Sequence, residues 1–204
     1  MARKSAADKA QTHERIIERA SRAFREHGSG VGIGEVMKEL GLTHGGFYRH
    51  FESKDELLVE AIARSLDEVA ERFDRIAQTA APGKELQAII TAYLSAEHLR
   101  HPETWCALAT LAPDIGRQPA AVRKQIDGAL QRYMGRMAKY MPGESEEERR
   151  ANFVILFSGM SGAMAMTRAC GDKDMRERVL GTTRDYYLTS FAGGAPTGSG
   201  RRAS

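Results

Sequence analysis

The sequence predicts an all-α protein of about nine helices. Apolar residues recur at helical spacing in nearly every segment. Gly28, Gly41, Pro102, Pro113 and Gly171 fall where those segments end, and two complete Ser-x-x-Glu capping boxes, Ser53–Glu56 and Ser145–Glu148, mark helix starts.

The first helix carries Ile16, Ile17, Ala20, Ala23 and Phe24 on one stripe and closes at Gly28. A short second helix, about 33–40, turns Ile33, Val36, Met37 and Leu40 inward and is stopped by Gly41. Thr43 caps the third, with Leu42 and Phe47 at the two ends of a hydrophobic staple. This third helix is expected to end by Phe51 or Glu52. Ser53 then opens a long fourth helix whose apolar positions run from Leu57 to Ile76, up to a hinge near Pro82. A fifth is expected over 84–100 and a shorter sixth from Trp105 to Leu111, ended by Pro113. Pro119 suits the first turn of the next, which runs to about Tyr140. Ser145 opens a helix to about Ala169, and the last covers about 174–191. The tail from 193 to 204 is rich in Gly, Ser and Pro and is expected to be disordered.

Composition narrows the function classes. The 204 residues are 42% hydrophobic and 28% charged, ordinary for a globular chain. No apolar run reaches the roughly 20 residues that span a bilayer. The first residues lack the apolar core of a secretory signal, so the cytoplasm is expected. Two cysteines, Cys106 and Cys170, make neither a disulfide framework nor a zinc site, and no motif calls for a metal or cofactor. From Arg3 to Arg25 there are seven Lys or Arg against three acids. A basic arm running into a helix suits a polyanion, most simply nucleic acid; a solvated helix face is the alternative.

Two short helices joined by "GLT" have the spacing of a helix-turn-helix, about 33–52, which lays its second helix in the major groove of double-stranded DNA. In "THGGFYRHFESK", Gly45 and Gly46 allow close approach. Thr43, Tyr48, His50 and Lys54 can bond phosphate oxygens, while His44 and Arg49 can reach base edges or the backbone. A plain helical hairpin with surface Tyr and His is the alternative.

The pieces "RIIERASRAFREHG" and "IGEVMKELGLTHGGFYRHFESKDELLVEAI", in this order and spacing, resemble the TetR family of one-component transcriptional regulators. The resemblance covers about residues 12 to 65. It implies a homodimer that binds a palindromic operator, usually represses, and is released by a small molecule held in the C-terminal core. It assigns Thr43, Tyr48, His50 and Lys54 to phosphate and His44, Gly45 and Gly46 to the base-facing start of the recognition helix. One departure is "VGIGE" at the second helix, where the family more often has a Ser or Thr cap. The implied domains are 10–56 for DNA binding and 57–192 for ligand binding and dimerisation.

The implied four-helix dimer interface falls on the last two helices. Gly159, Gly162 and Ala163 permit close approach, and Tyr186, Tyr187 and Phe191 are candidate contacts; a monomeric core helix is the alternative. Tyr93, Trp105, Cys106, Leu108, Tyr133 and Met134 could line a pocket, with Met137, Phe157, Met160 and Met164. The same residues also describe an ordinary core, and the effector expected from them is apolar or aromatic. Cys106, near His98 and His101, could be a reactive thiol sensing oxidants or electrophiles, or simply a small buried residue. Two other functions remain open. One is a sequence-tolerant architectural DNA binder. The other is an enzyme pairing Cys106 with His98 or His101, for which no orienting acid stands at a recognisable spacing.

Overall fold

A computed structural model describes residues 6–193, so the glycine-rich tail beyond Gly193 lies outside the described residues. Those residues form α-helices, two short 3₁₀ turns and no strand. The helices are α1 (Ala6–His27), α2 (Ile33–Glu39), α3 (His44–Phe47), α4 (Lys54–Thr79) and α5 (Glu85–Tyr93), followed by α6 (Ala96–Arg100), α7 (Leu108–Gly116), α8 (Ala120–Met137), α9 (Glu146–Ala169) and α10 (Lys173–Phe191). The all-α expectation holds. The helix expected over 84–100 divides in two at Leu94, because the Ser95 hydroxyl accepts the His98 amide at 3.2 Å and caps a new start.

The N-terminal helices gather around Phe47 and Phe51, whose rings stack at 5.3 Å. Both are buried, each contributing about 1.5–3 kcal/mol on burial. Gly28 (φ +85°) and Gly41 (φ +68°) take the left-handed conformation that ends α1 and α2. The third element differs from expectation. Its α-helical part stops at Phe47 and continues as a turn, in which the His50 and Phe51 amides donate to the Phe47 carbonyl at 2.8 and 3.1 Å. Both Ser-x-x-Glu caps form, with their return bonds shifted one residue outward: Glu56 accepts the Glu52 amide and Glu148 the Glu144 amide.

The 26-residue α4 passes from this head into the C-terminal body, where it packs on α1, α5 and α8. Asp74 on α4 accepts from Arg136 and from the Tyr140 hydroxyl, each at 2.6 Å, and pairs with Lys139 at 2.9 Å. Burial pushes its carboxyl up, but those three donors hold it at about 2. Behind α4 the Phe73, Tyr93, Trp105 and Phe157 rings form one aromatic core.

The sixth expected helix is corrected at both ends. Trp105 and Cys106 precede α7, which starts at Leu108 and runs through Pro113 to Gly116. Proline cannot supply the amide that the Ala109 carbonyl would accept. Arg168, from α9, donates to that carbonyl at 3.1 Å instead. A distant side chain thus makes good the bond that the proline removes.

Candidate nucleic-acid interface and ligand cavity

The head presents one polar face built on α3. Thr43 is its cap, accepting the Gly46 amide at 3.2 Å. That leaves Thr43, His44, Gly45, Tyr48 and Arg49 exposed, with Phe47 pointing into the core beneath them. The Tyr48 ring is 61% exposed and stands edge-on to both His44 and Phe47, at 5.9 and 5.3 Å. A Cβ on Gly45 would meet nothing within 4 Å, and one on Gly46 would sit 3.4 Å from Thr43 Oγ1, an ordinary contact. Neither glycine is demanded by packing.

Lys9 and Thr12 of α1 complete this face. With Gly46, Thr43, Arg49 and His50 they border a depression of about 370 Å³. Lys54 is half-buried at the start of α4, with its ammonium 6.0 Å above the Phe24 ring. The uncapped start of α2 is also present as read: Gly32 offers no side chain, and its carbonyl accepts the Glu35 and Val36 amides. The sequence signal for Lys9 was the basic arm. Nothing in the sequence placed Thr12 there.

Arg25 joins the head to the body. Its guanidinium is 1% exposed and donates to Ser21 O at 3.1 Å, Trp105 O at 3.0 Å and Glu68 at 2.8 Å. Burial pushes its pKa down, and the Glu68 carboxylate opposes that. The chain just after α1 is tied to α7 through the Ser29 amide and Asp114 at 3.4 Å.

Beside this joint lies a cavity of about 950 Å³ between α7, α8 and α9, reached also by Arg25, Glu26 and Gly28 of the α1 end. Of the expected pocket residues, Leu108, Tyr133, Met134 and Phe157 are on its wall. Tyr93, Trp105, Cys106, Met137, Met160 and Met164 are instead buried in the adjoining core. Tyr93 backs the wall through its bond to Ser161 at 2.9 Å. Residues the sequence did not single out include Leu130, Phe153, Ser158 and Arg168. On α9 the wall positions recur every three or four residues, but an apolar helix gives no outward sign of which face meets a void.

Cys106 is fully buried, and burial pushes its thiol up. A reactive thiolate needs the opposite shift and access to solvent. His98 Nδ1–H donates to Tyr93 O at 2.8 Å, the ring stacks on Trp105 at 4.6 Å, and burial drives its pKa down to about 3. His101 is exposed and lies 3.3 Å from Glu103.

On α9 and α10, Ile155, Met166, Met175 and Tyr186 are exposed apolar side chains. Gly162 is open, whereas Ala163 is buried. Gly159 and Tyr187 face each other within the chain: a Cβ on Gly159 would lie 1.6 Å from the tyrosine oxygen. Phe191 is half-buried against the core. The exposed Ile155 and Met166 were hidden in the sequence because α9 is apolar nearly all round.

Comparison with known proteins agrees with this geometry. Residues 16–61 match the family model described as bacterial regulatory proteins, tetR family. The HTH-type transcriptional regulator AcrR of Shigella flexneri is 38% identical over 61 residues, 29% of this chain and 28% of that protein. An HTH-type transcriptional regulator of Staphylococcus aureus is 32% identical over 88 residues, 43% of this chain and 48% of that protein. The aligned stretches therefore span less than half of those relatives' length. Among solved structures, the reduced form of NemR from E. coli superposes with a TM-score of 0.72 at 15% identity, covering 91% of this chain and 99% of that one. A putative transcriptional regulator from Saccharomonospora viridis in complex with choline gives 0.64 at 18% identity, covering 89% and 98%. At such identities the structural likeness shows the fold.

Proposed function

We propose that the chain, whose residues 16–61 match the tetR family model, is a TetR-family transcriptional regulator acting as a ligand-responsive repressor. In this reading it binds a palindromic operator as a homodimer and leaves it when a small molecule enters the cavity. Residues 10–56 form the DNA-binding domain, with Thr43, Tyr48, His50 and Lys54 on phosphates and His44, Gly45, Gly46 and Arg49 at the bases. Residues 57–192 form the ligand-binding and dimerisation domain. The dimer packs α9 and α10 across a two-fold axis, covering Ile155, Met166, Met175 and Tyr186. Acting on the chromosome, it works in the cytoplasm; no helix among the described residues is long and apolar enough to cross a membrane.

One observation carries the reading. The capped second helix of the helix-turn-helix carries an exposed Gly45 and a half-buried Gly46 that the fold does not require, beside exposed Tyr and Arg side chains. Release follows from the joint. The end of α1 lines the cavity and is bonded to α7 and to the Trp105 carbonyl, so a ligand that displaces α7 moves the head. The choline complex of the Saccharomonospora viridis protein supports a small-molecule site in this fold.

Selecting bound sequences from a random DNA pool tests the proposal. A specific dimer returns a palindrome with half-sites about one helical turn apart and prefers it by about 10³ or more over unrelated DNA. Even retention of all sequences would favour an architectural binder. Catalysis by Cys106 with His98 or His101 is not part of the proposal, since the thiol is buried and His98 is held by Tyr93 and Trp105.

A further inference from the structure

The cavity wall is mostly apolar, with Thr110, Gln131, Ser158 and Ser161 among its lining and the guanidinium of Arg168 at one end. On α9 its wall runs from Phe153 to Arg168, fifteen helical steps, or about 22 Å at the helical rise. Towards Phe153 the opposing side chains, from α8, are Leu130, Met134 and the ring of Tyr133. At the other terminus stands Arg168, near the first turn of α7. The volume, about 950 Å³, suits a molecule of drug size.

Arg168 is half-buried, and its guanidinium bonds only to neutral acceptors: Ala109 O at 3.1 Å and His98 O at 3.3 Å. Its Nε is buried without a hydrogen-bond partner. Among the described residues no carboxylate pairs with it, and the groups acting on its charge are Tyr93 and Cys106, both neutral at ordinary pH. The other arginine on the wall, Arg25, is neutralised by Glu68. The two carboxylates that line the cavity, Glu26 and Asp127, are exposed on its rim. A fixed cation therefore sits at one end of an apolar trough without a counter-ion.

We propose that the effector is an amphipathic anion, with a carboxylate, sulfonate or comparable head on Arg168 and an apolar or aromatic body lying along α9 towards Phe153. This rests on the ligand-responsive reading above and narrows its ligand. Guanidinium binds such planar or forked oxygen pairs with two parallel charge-assisted bonds, which are shorter and stronger than its bonds to carbonyls. The anion also competes for the donors that now hold Ala109 and His98. Since Ala109 is on α7, head binding loosens the helix against which the end of α1 is fixed.

A matched pair of dyes on the full chain separates the ligand's charge from its shape. The probes are 1-anilinonaphthalene-8-sulfonate and its uncharged counterpart N-phenyl-1-naphthylamine, titrated by fluorescence. The wild type is expected to bind the sulfonate at least about tenfold more tightly, the worth of one charge-assisted bond. R168M is expected to remove that preference and leave the neutral dye unchanged. R168Q serves the same purpose should R168M fail to fold by circular dichroism. Equal affinities in the wild type, or a preference that survives loss of Arg168, overturn the anionic head while leaving a small-molecule cavity standing. G162W, placed where a new side chain meets nothing, is expected to exclude both dyes. A wild type that binds neither dye, or dye binding indifferent to G162W, overturns the cavity as the effector site and this inference with it.

Discussion

Gly45 stands exposed at the first turn of α3, and a Cβ added there meets no heavy atom within 4 Å. Alanine or leucine at this position therefore fills only space that belongs to solvent or to DNA. Alanine is favoured over glycine in a helix interior by about 1 kcal/mol, and that is an upper bound for so short a helix. The Tm of Gly45→Ala should be unchanged or raised by about 2–4 °C at most, given a chain of this size. Operator binding should move the other way. A leucine side chain would hold the helix away from the groove floor and remove one or two base contacts, each worth about 1–3 kcal/mol. Gly45→Leu is then expected to lose about fivefold to ten-thousandfold in operator affinity.

The assay is fluorescence anisotropy on the selected operator at fixed salt, beside thermal unfolding of the same preparations. Opposite movement of stability and affinity is the expected signature. Full operator affinity in a folded Gly45→Leu protein would refute the placement of Gly45 at the DNA. Loss of the fold would show that the space is needed for packing after all. Gly46→Ala, whose new methyl makes only ordinary contact with Thr43 and Met37, is the companion control for stability.

Tyr48→Phe should weaken binding to all DNA sequences alike, without changing the salt slope, because a neutral hydroxyl releases no counter-ion. Lys54→Met should lower that slope by about 0.9, and an unchanged slope would remove Lys54 from the phosphate contacts. Gly159→Ala drives a methyl into the Tyr187 oxygen and should cost about 1–3 kcal/mol or more; Tyr187→Leu in the same chain should restore most of it, measured by urea unfolding. His98 gives a pH dependence with a definite sign. Its pKa is depressed when folded, from 6.5 to about 3, so the unfolded chain binds the proton first. Its share of stability is complete above pH 6.5 and falls by about 1.4 kcal/mol per unit as the pH drops towards 3. Asp74, held at about 2, adds to the loss below its ordinary 3.8. His98→Phe should abolish the part between pH 6 and 4; an unaltered acid limb would mean that His98 is not buried neutral.

The head was legible because its determinants are local. Thr43, Ser53, Gly28 and Gly41 act within four residues of themselves, so capping rules and spacing place them. Even there, the length of α3 escaped: side-by-side glycines weaken α-helical continuation, and the chain turns after Phe47 while keeping Phe51 in the core. The body was less legible because its determinants are distant in sequence. Gly159 reads as a surface for another helix, but what it accommodates is Tyr187, which only the antiparallel packing of α9 and α10 brings near. Tyr93 and Leu108 are equally apolar in composition terms, yet one is wholly in the core and the other on the cavity wall.

Pro113 shows how such a misreading becomes a handle on function. Taken alone it ends a helix, because it lacks an amide and crowds the preceding turn. Arg168 makes good the missing donor by bonding the Ala109 carbonyl from another helix, and α7 runs on. Pro113→Ala would supply the missing amide within α7 and give Ala109 a donor of its own. Helix propensity favours the change by up to about 3 kcal/mol, so the protein should not lose stability. Arg168 would then be freer to meet an anion, and 1-anilinonaphthalene-8-sulfonate should bind more tightly to Pro113→Ala than to the wild type. The gain should vanish in the double variant with R168M. Weaker sulfonate binding in Pro113→Ala would mean that the carbonyl positions Arg168 for its ligand rather than competing with it.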